Sequence, residues 1–176
     1  MLLGGCAGHP PRAAENGTGT ELVGLWVPSP PEVIAAMLEL AEVGPADVVY
    51  DLGSGEGEIV IEAARRYGVR AVGVELDHER VENARKKAAD AGVTDRVTFI
   101  ERDLFEVDIG EATVVTLYLF PGILERLLPK LLRELRPGTR IVSHDFGLGD
   151  WPPDKTVEVP IERRRRVLLW TVPPRP

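Results

Sequence analysis

The sequence contains little of what builds crosslinked, metal-bound or membrane-spanning proteins. Its single cysteine, Cys6, excludes an internal disulfide framework and a cysteine-cluster metal site. No apolar run approaches the ~20 residues that a membrane-spanning helix needs. Positive charge is also scarce: the formal net charge is -7, whereas a general nucleic-acid binder usually presents a basic surface to the phosphate backbone. These deficits predict an acidic globular protein with no nucleic-acid partner and no metal.

The length and composition are those of one domain preceded by a tail. The chain has 176 residues, of which 44% are hydrophobic, and this is enough for one full core but too little for two. Residues 1–22 are rich in Gly, Pro, Ala and Thr and show no periodicity. We therefore predict a flexible tail over residues 1–22 and a single domain over residues 23–176.

The start of the tail resembles the end of a bacterial lipoprotein signal, in which a small residue precedes the lipidated cysteine. Only five residues precede Cys6, whereas the apolar part of a secretory signal needs about 7 to 15 residues. Either the start is trimmed relative to a longer precursor, or the similarity is accidental. We expect a cytoplasmic protein.

A glycine-rich segment, residues 48–60, lacks both common phosphate-binding motifs although it has their general shape. A β-branched run ends in Asp51, glycines follow at positions 53, 55 and 57, and helical spacing begins at Ile59, which predicts a strand, a tight loop and a helix. No Gly-Lys-Ser/Thr triplet is present, and Glu58 stands where the dinucleotide pattern G-x-G-x-x-G needs its last glycine. The alternative is an ordinary strand-to-helix turn without a ligand.

The charge of this loop indicates a cationic ligand. Asp51, Glu56 and Glu58 lie in it without a lysine, and loops that bind phosphates avoid anions because they work by attracting negative charge. S-adenosylmethionine has no phosphate and carries a sulfonium and an ammonium. We therefore expect S-adenosylmethionine as the cofactor, with Asp51 stabilising its positive charge.

Acidic residues also follow the next two predicted strands. Glu75 ends the strand 70–75 and lies 18 residues beyond Gly57, close to the offset of about 20 at which an acid meets ribose hydroxyls. Asp103 and Leu104 follow the strand 96–100, where a carboxylate can accept from the adenine amine while apolar residues cover the ring. The alternative for Asp103 is a loop cap, which is a common role of aspartate.

Repeated strand–helix units with acids at the strand ends predict an α/β fold with a doubly wound, mostly parallel sheet. About ten residues separate the third strand from the apolar strand 112–120, too few for a crossover helix, so we predict a turn followed by a central strand. Pro129 should break the helix 123–135. The segments 156–161 and 166–172 predict a C-terminal antiparallel hairpin at the sheet edge, with the arginines 163–166 on a solvated edge strand.

Aromatic residues indicate where a methyl acceptor would enter. Trp26 either packs in the core or closes over the ligand loop, where a sulfonium favours an aromatic wall by cation–π attraction. Tyr118 and Phe120 end the fourth strand, and with Trp26 they would form an apolar mouth that lowers the pKa of a lysine amine by desolvation. We predict that Tyr118 borders the acceptor, with His144 and Asp145 as candidate orienting groups.

The chain resembles class I S-adenosylmethionine-dependent methyltransferases in three motifs, Asp51–Gly57, Val74–Asp77 and Arg102–Leu104. Within that class it resembles a small lysine N-methyltransferase subfamily in the segments Trp26–Pro30, Thr116–Pro121 and Arg136–Phe146. Eukaryotic members of that subfamily methylate lysines of mitochondrial membrane proteins, including the ATP synthase c subunit and the adenine nucleotide translocase. The resemblance covers about residues 25 to 160.

The resemblance implies a Rossmann-like methyltransferase sheet and methyl transfer to a protein lysine, with membrane proteins among the substrates it allows. It makes Asp51, Gly53 and Gly55 contacts of the methionine part, Glu75 the ribose acid and Asp103 the adenine contact. The full set of predicted cofactor residues is Asp51, Gly53, Ser54, Gly55, Glu75, Asp103, Leu104 and Trp26.

Two departures from related patterns bear on the acceptor. Trp26 stands where the subfamily would have tyrosine, so no hydroxyl is available at that position. The Asn/Asp-Pro-Pro-Tyr/Phe motif of many nucleobase and glutamine amide methyltransferases is missing at residues 117–120, which argues against those substrates. Two alternatives stay open: a small-molecule methyltransferase, and a non-catalytic S-adenosylmethionine-binding module, which would not need an aromatic mouth.

Overall fold

Seven strands form one sheet in the computed structural model, which describes residues 27–175. The predictions for the tail, Cys6 and Trp26 therefore concern residues outside the described range. The strands are β1 Val48–Leu52, β2 Arg70–Glu75, β3 Val97–Glu101, β4 Val114–Leu117, β5 Arg140–His144, β6 Lys155–Val159 and β7 Arg165–Thr171. Their order across the sheet is β3-β2-β1-β4-β5-β7-β6.

The first five strands are parallel and the last two form an antiparallel hairpin, which confirms the predicted architecture. Parallel pairs join β3 to β2, β2 to β1, β1 to β4 and β4 to β5, whereas β7 is antiparallel to both β5 and β6. β4 is central, and all four of its residues are buried as predicted. Compared with the order 3-2-1-4-5-6 of dinucleotide-binding sheets, this sheet has an antiparallel strand inserted beside β5.

The position of the hairpin strands corrects one prediction. The edge strand is β6, and β7, which begins with Arg165 and Arg166, lies between β5 and β6. Arg163 and Arg164 lie in the turn before β7 and are exposed. The edge-strand prediction was wrong because the apolar run 167–170 that follows the arginines is buried, and it draws β7 into the sheet.

Four helices cover the two faces of the sheet. On one face lie α1 Pro31–Leu40, α2 Glu58–Tyr67 and α3 His78–Asp90, and on the other lies α4 Pro121–Glu134. Side chains alternate across a strand, so within β1 Val49 joins the first core while Tyr50 and Leu52 join the second. Each central strand therefore contributes to both cores.

The helix α4 runs without a break from Pro121 to Glu134, so the predicted break at Pro129 was wrong. A proline removes one backbone donor and frees the carbonyl four residues earlier, here that of Glu125. Both Glu125 and Pro129 are exposed, so water can satisfy that carbonyl. On the opposite side, buried leucines hold the helix against the sheet: Leu124, Leu127 and Leu131.

Local sequence signals set the helix ends near the site. The side chain of Asp77 accepts from Arg80 N at 3.1 Å and caps α3, and Gly68, with φ 70°, ends α2. Within the described chain, β3 and β4 are joined by turns alone, as their short separation predicts.

Among residues 27–175, none of the helices combines the length and the apolar character that crossing a membrane requires.

Candidate active site

A cavity of about 730 Å³ opens where β1, β2, β3 and β4 end. The carboxyl ends of parallel strands share one edge of the sheet, and ligands of doubly wound folds bind there. The residues that line the cavity come from the glycine-rich loop, from the segments after β2, β3 and β4, and from the segment before α1. Seven predicted site residues meet in it: Asp51, Gly53, Ser54, Glu75, Asp103, Leu104 and Tyr118.

The glycine-rich loop wraps around the end of β2. Gly53 N and Ser54 N both donate to Val74 O, at 2.8 and 2.9 Å, and Gly55 N donates to Glu75 Oε2 at 2.9 Å. Gly53 and Gly55 have φ angles of 82° and 54°, in the left-handed region that favours glycine. Gly55 does not line the cavity, so it supports the site through Glu75.

The carboxylate of Glu75 organises the loop and the start of α3. Its Oε2 accepts from Gly55 N, and its Oε1 accepts from Leu76 N at 2.9 Å and from Asp77 N at 3.0 Å. A carboxylate offers about four acceptor positions. Three are used by the backbone, so about one remains for a ligand hydroxyl.

Asp51 holds a carboxylate whose surroundings favour a cation. Its side chain is 3% exposed and accepts from Thr116 Oγ1 at 2.7 Å. Burial raises the pKa of Asp51 to about 7; Glu58 and Glu75 also raise it, and the bond from Thr116 opposes them. An added positive charge would relieve both the burial cost and the repulsion. The surroundings of Asp51 therefore favour a positively charged group beside it, as the loop composition predicts, and the arginines of the lining, Arg80, Arg102 and Arg126, add positive charge of their own to the wall.

Two further observations fit S-adenosylmethionine. Ser54 Oγ is buried behind the cavity wall and has no hydrogen-bond partner within residues 27–175, so the described chain leaves its hydrogen-bonding capacity unused beside the cavity. A Cβ added at Gly53 would lie 2.7 Å from a methyl of Leu119, so the loop presents bare backbone there. A phosphate would face the carboxylates of Asp51 and Glu75, whereas an ammonium or hydroxyls would find acceptors in them.

The nucleoside end of the cavity combines one carboxylate with apolar cover. Asp103, Leu104, Phe105 and Leu76 line it. Asp103 Oδ1 accepts from Phe105 N at 2.9 Å, which is the loop cap considered as the alternative, and the same carboxylate faces the cavity. Leu76 is 58% exposed, and the guanidinium of Arg126 lies 4.7 Å from the centre of the Phe105 ring. The carboxylate of Asp103 therefore both caps the loop and lies in the cavity wall.

The opposite end of the cavity is aromatic. Tyr118, Phe120 and Phe146 line it, and the Phe146 ring lies 6.3 Å from Tyr118 and 6.5 Å from Phe120 between centroids. His144 stacks on Tyr118 at 3.9 Å, is fully buried, and lies 2.9 Å through Nδ1 from Ser29 Oγ. Burial lowers the pKa of His144 to about 4. The imidazole is therefore neutral at pH 7 and belongs to an apolar wall.

Asp145 does not line the cavity. Its Oδ2 accepts from Arg165 Nη1 at 2.6 Å, and its Oδ1 accepts from Arg166 N at 2.8 Å. Of the two predicted catalytic residues, only Tyr118 lies in the cavity wall, and Asp145 reaches it only through neighbours. The partners of Asp145 arrive by the antiparallel pairing of β7 with β5, which motif reading along the chain does not reveal.

Sequence reasoning missed several residues that line the cavity, among them Ser29, Leu76, Arg80, Arg126 and Phe146. Leu76 follows the acid at the end of β2, and Phe146 follows the end of β5, so the rule that strand ends carry sites would have found both. Ser29 precedes α1 and carries no such signal, because only the packing of that segment against β5 brings it to the cavity.

Sheet order, an acid-rich glycine loop and a buried carboxylate that favours a cation together define a class I S-adenosylmethionine-dependent methyltransferase. Comparison with known proteins agrees with this class and narrows it. The family model for the ANTKMT methyltransferase domain matches residues 51–155. The chain belongs to that family.

Individual relatives differ in how much of their length this chain spans. It is 47% identical over 135 residues to a protein-lysine N-methyltransferase of Saccharolobus islandicus, covering 76% of this chain and 84% of that one. It is 40% identical to the adenine nucleotide translocase lysine N-methyltransferase of Mus musculus, covering 66% of this chain but 51% of the mouse protein. A crystal structure from Salinibacter ruber, described as an RNA methyltransferase with S-adenosyl-L-homocysteine, is 54% identical with a TM-score of 0.81, covering 84% and 94%.

Proposed function

We propose that this enzyme methylates the side-chain amines of protein lysines. The observation that carries the proposal is the aromatic end of the cavity, where Tyr118, Phe120 and Phe146 adjoin the acid-lined cofactor end. A lysine side chain has a four-carbon apolar stem that suits such a wall and a single nitrogen at its tip. The archaeal relative that is named as a protein-lysine N-methyltransferase supports the same acceptor.

The cofactor contacts that we propose follow the cavity from one end to the other. Asp51 and the backbone at Gly53 would hold the methionine part, with Ser54 Oγ as a further partner. Glu75 would accept from the ribose through its remaining acceptor position. For the adenine we propose Asp103, with Leu104 as apolar cover.

Catalysis in this site depends on orientation and on the protonation state of the acceptor. When bound, S-adenosylmethionine supplies an activated methyl group, whose C–S bond breaks as the amine lone pair forms the C–N bond and the surplus amine proton passes to solvent. The residues of the cavity hold the amine in line with the methyl carbon, and such positioning can supply much of the rate. Because a protonated amine has no lone pair, the apolar wall around Tyr118 also assists by lowering the pKa of the lysine.

The substrate range that we propose includes membrane proteins. Two mouse relatives are named for lysines of the adenine nucleotide translocase and of the ATP synthase c subunit, although this chain spans only 51% and 43% of them. We place the activity in the cytoplasm, as the sequence leads us to expect. Fractionation of cells that express the full-length gene tests the location, and recovery of the enzyme outside the cytoplasmic membrane would contradict it.

RNA is the second candidate acceptor, because the Salinibacter ruber relative is described as an RNA methyltransferase. Two features of this chain disfavour it. The net charge is -7, whereas RNA-binding surfaces are basic. The residues Leu117–Phe120 also lack the Asn/Asp-Pro-Pro-Tyr/Phe motif found in many nucleobase methyltransferases.

A labelling experiment separates these acceptors. The purified protein is incubated with methyl-labelled S-adenosylmethionine and either a soluble or a membrane fraction, and each sample is divided for protease and ribonuclease treatment. Label that is sensitive to protease and maps to lysine by mass spectrometry supports the proposal. Label sensitive only to ribonuclease, or confined to small molecules, overturns it, and Asp51→Ala serves as the control that should transfer no label.

A further inference from the structure

A buried histidine stands directly behind the acceptor end of the cavity. His144 ends β5, is fully buried and does not line the cavity, whereas Tyr118, which follows β4, does. The pairing of β4 with β5 places Leu117 opposite Ser143, so the residues that follow them lie side by side. The rings of Tyr118 and His144 stack with centroids 3.9 Å apart and planes inclined by 25°. His144 can therefore act on the acceptor only through the residues in front of it.

One hydrogen bond orients the imidazole of His144. Its Nδ1 lies 2.9 Å from Ser29 Oγ, while its Nε2 lies 3.5 Å from Asp145 Oδ2, which is longer than a hydrogen bond. A carboxylate oxygen only accepts, and a lone pair on Nε2 would be repelled by it, so the proton of the neutral ring belongs on Nε2. The Ser29 hydroxyl then donates to Nδ1. The edge of the ring is thus bound to Ser29, and its face is covered by Tyr118.

The imidazole stays uncharged in this position. Burial lowers the pKa of His144 to about 4, although the neighbouring carboxylate of Asp145 opposes the shift. That carboxylate is itself occupied, because Oδ2 accepts from Arg165 Nη1 at 2.6 Å and Oδ1 accepts from Arg166 N at 2.8 Å. The ring behind Tyr118 is therefore a flat and neutral surface, on which an aromatic ring stacks favourably.

We propose that His144 is a positioning residue for methyl transfer that holds two parts of the acceptor wall: its face fixes the ring of Tyr118, and its Nδ1 holds the segment of Ser29. Both of these neighbours line the cavity. The proposal rests on the proposed function, because it takes the aromatic end of the cavity as the place of the acceptor. In-line transfer tolerates little displacement, and a misplacement of about 1 Å can lower the rate about 100-fold.

Two substitutions separate the face of the His144 ring from its hydrogen bond. His144→Asn keeps a polar group for Ser29 but removes the ring, so kcat should fall about tenfold, the upper range for one lost ring stack, while KM for the acceptor changes little. His144→Phe keeps a flat ring without a nitrogen, so kcat should stay within about threefold of wild type while KM rises about threefold, as expected for one neutral hydrogen bond. Affinity for S-adenosylmethionine, measured by calorimetry, should be unchanged in both, which also shows that both variants fold. Equal losses of kcat in the two variants, or a normal kcat for His144→Asn, would overturn the proposal.

A double-mutant cycle with Tyr118→Leu distinguishes positioning from a general structural role. If His144 acts on turnover through the ring of Tyr118, His144→Asn should have no further effect on kcat once that ring is absent, whereas a structural loss would be additive. His78→Asn is the matched control, because His78 is exposed, pairs with Glu101 at 2.9 Å and does not line the cavity. Additive losses, or an equal loss of kcat in the His78 control, would overturn the role of His144.

The bond to Ser29 is tested by a second cycle. Ser29→Ala should raise KM for the acceptor in the wild-type background but not in His144→Phe, which offers the hydroxyl no nitrogen to bind. An increase of the same size in both backgrounds would show that His144 does not hold the segment of Ser29, and would overturn that part of the proposal.

The inference and the proposed function fail separately. If the labelling experiment shows RNA or a small molecule as the only acceptor, the protein-lysine proposal falls. The kinetic coupling of His144 with Tyr118 is then measured on that acceptor, and it confirms or overturns the positioning role by itself. If lysine is labelled but the first cycle is additive, the function stands and the positioning role falls.

Discussion

The two ends of the cavity are built in different ways. At the cofactor end, the polar groups come from the backbone of one short loop and from acids that end adjacent strands, Asp51, Glu75 and Asp103. At the acceptor end, Ser29, Tyr118 and Phe146 come from three distant segments, and rings replace charges. The polar groups of the first end follow from one loop and from the ends of neighbouring parallel strands, whereas the second end also needs the segment before α1.

The buried ionisable groups at the two ends also differ in whether their charge is already compensated within the protein. Asp51 is buried beside other carboxylates, so its pKa is raised to about 7, and the cofactor end is electrostatically incomplete without a cation. At the acceptor end the buried His144 has a pKa lowered to about 4, and Asp145 already pairs with Arg165. We therefore expect substitutions at the cofactor end to change ligand affinity and substitutions at the acceptor end to change turnover.

The largest effect is expected from Asp51→Asn. The amide keeps an oxygen that can accept from Thr116 but removes the negative charge, and losing one partner of a buried charge pair costs about 3 to 5 kcal/mol. Affinity for S-adenosylmethionine, measured by calorimetry, should fall by about 100-fold or more, while the melting temperature of the ligand-free protein at pH 7 should not fall and should rise if anything, because the unfavourable burial of a carboxylate is relieved.

Glu56→Gln is the matched control for that variant. Glu56 belongs to the same loop, but its carboxylate binds Lys87 at 2.6 Å and Asn83 at 3.1 Å and does not line the cavity. Its affinity for S-adenosylmethionine should stay within about twofold of wild type, as expected for an exposed ion pair. A comparable loss in both variants would show that total loop charge, and not Asp51 itself, selects the cofactor.

Gly57→Ala should give the next largest effect, this time on stability. Gly57 has φ 82°, and an added Cβ would lie 2.6 Å from ring atoms of Phe99 and 3.2 Å from Ala84 Cβ. Left-handed strain and overpacking together should cost about 2 to 4 kcal/mol of unfolding free energy, measured by chemical denaturation. Gly122→Ala is the control: Gly122 lies in α4 with open space around its Cβ position among the described residues, so alanine should stabilise by up to about 1 kcal/mol.

A smaller effect is expected from pH. The affinity for S-adenosylmethionine should fall by up to about tenfold per pH unit as the pH is lowered from about 7 toward 5. The pKa of Asp51 is raised to about 7 in the ligand-free protein, so a proton must leave before the carboxylate can pair with a cation. Binding of S-adenosylmethionine should therefore weaken as the pH falls and should release a proton near pH 6.5, measured by calorimetry in buffers of different ionisation enthalpy. Asp51→Asn should abolish this dependence.

The same shift predicts the pH dependence of folding in the ligand-free protein. Because the folded pKa of Asp51 is raised above the usual value of 3.8, its contribution to stability is fully present below about pH 4 and is lost as the pH rises toward 7. The difference in unfolding free energy between wild type and Asp51→Asn should therefore change across that window. A constant difference from pH 4 to pH 7 would contradict the raised pKa.

The smallest effect is expected from Ser29→Ala at the acceptor end. The substitution removes the partner of His144 Nδ1 at 2.9 Å, so stability should fall by about 1 kcal/mol. Because the segment before α1 lines the cavity, KM for the acceptor should rise a few-fold while affinity for S-adenosylmethionine is unchanged. Thr94→Ala, at an exposed turn position, is the control. A change in cofactor affinity for Ser29→Ala would break the division between the two ends.

Most of the fold and half of the site could be predicted from the sequence. Asp51, Glu75 and Asp103 were found because each lies at the end of an apolar run or within a few residues after it, and parallel strands must bring such ends to one edge. The position of β7 inside the sheet and the continuity of α4 through Pro129 were not found, because both depend on which surface is buried. Gly55 and Asp145 line no part of the cavity, since their bonds go to Glu75 and Arg165.

By itself the sequence determined the ligand class and the cofactor end of the site. The charge of the loop, the spacing of its glycines and the acids at the strand ends can all be read from short segments of sequence. The strand–loop–helix geometry that these segments require allows few other kinds of ligand site. Only the tertiary structure decided the acceptor end, where an antiparallel strand brings Arg165 to Asp145 and the segment before α1 brings Ser29 to His144. Neither contact follows from the rule that parallel strand ends meet, because β7 reaches β5 in the antiparallel direction and the segment before α1 reaches the end of β5 from outside the sheet.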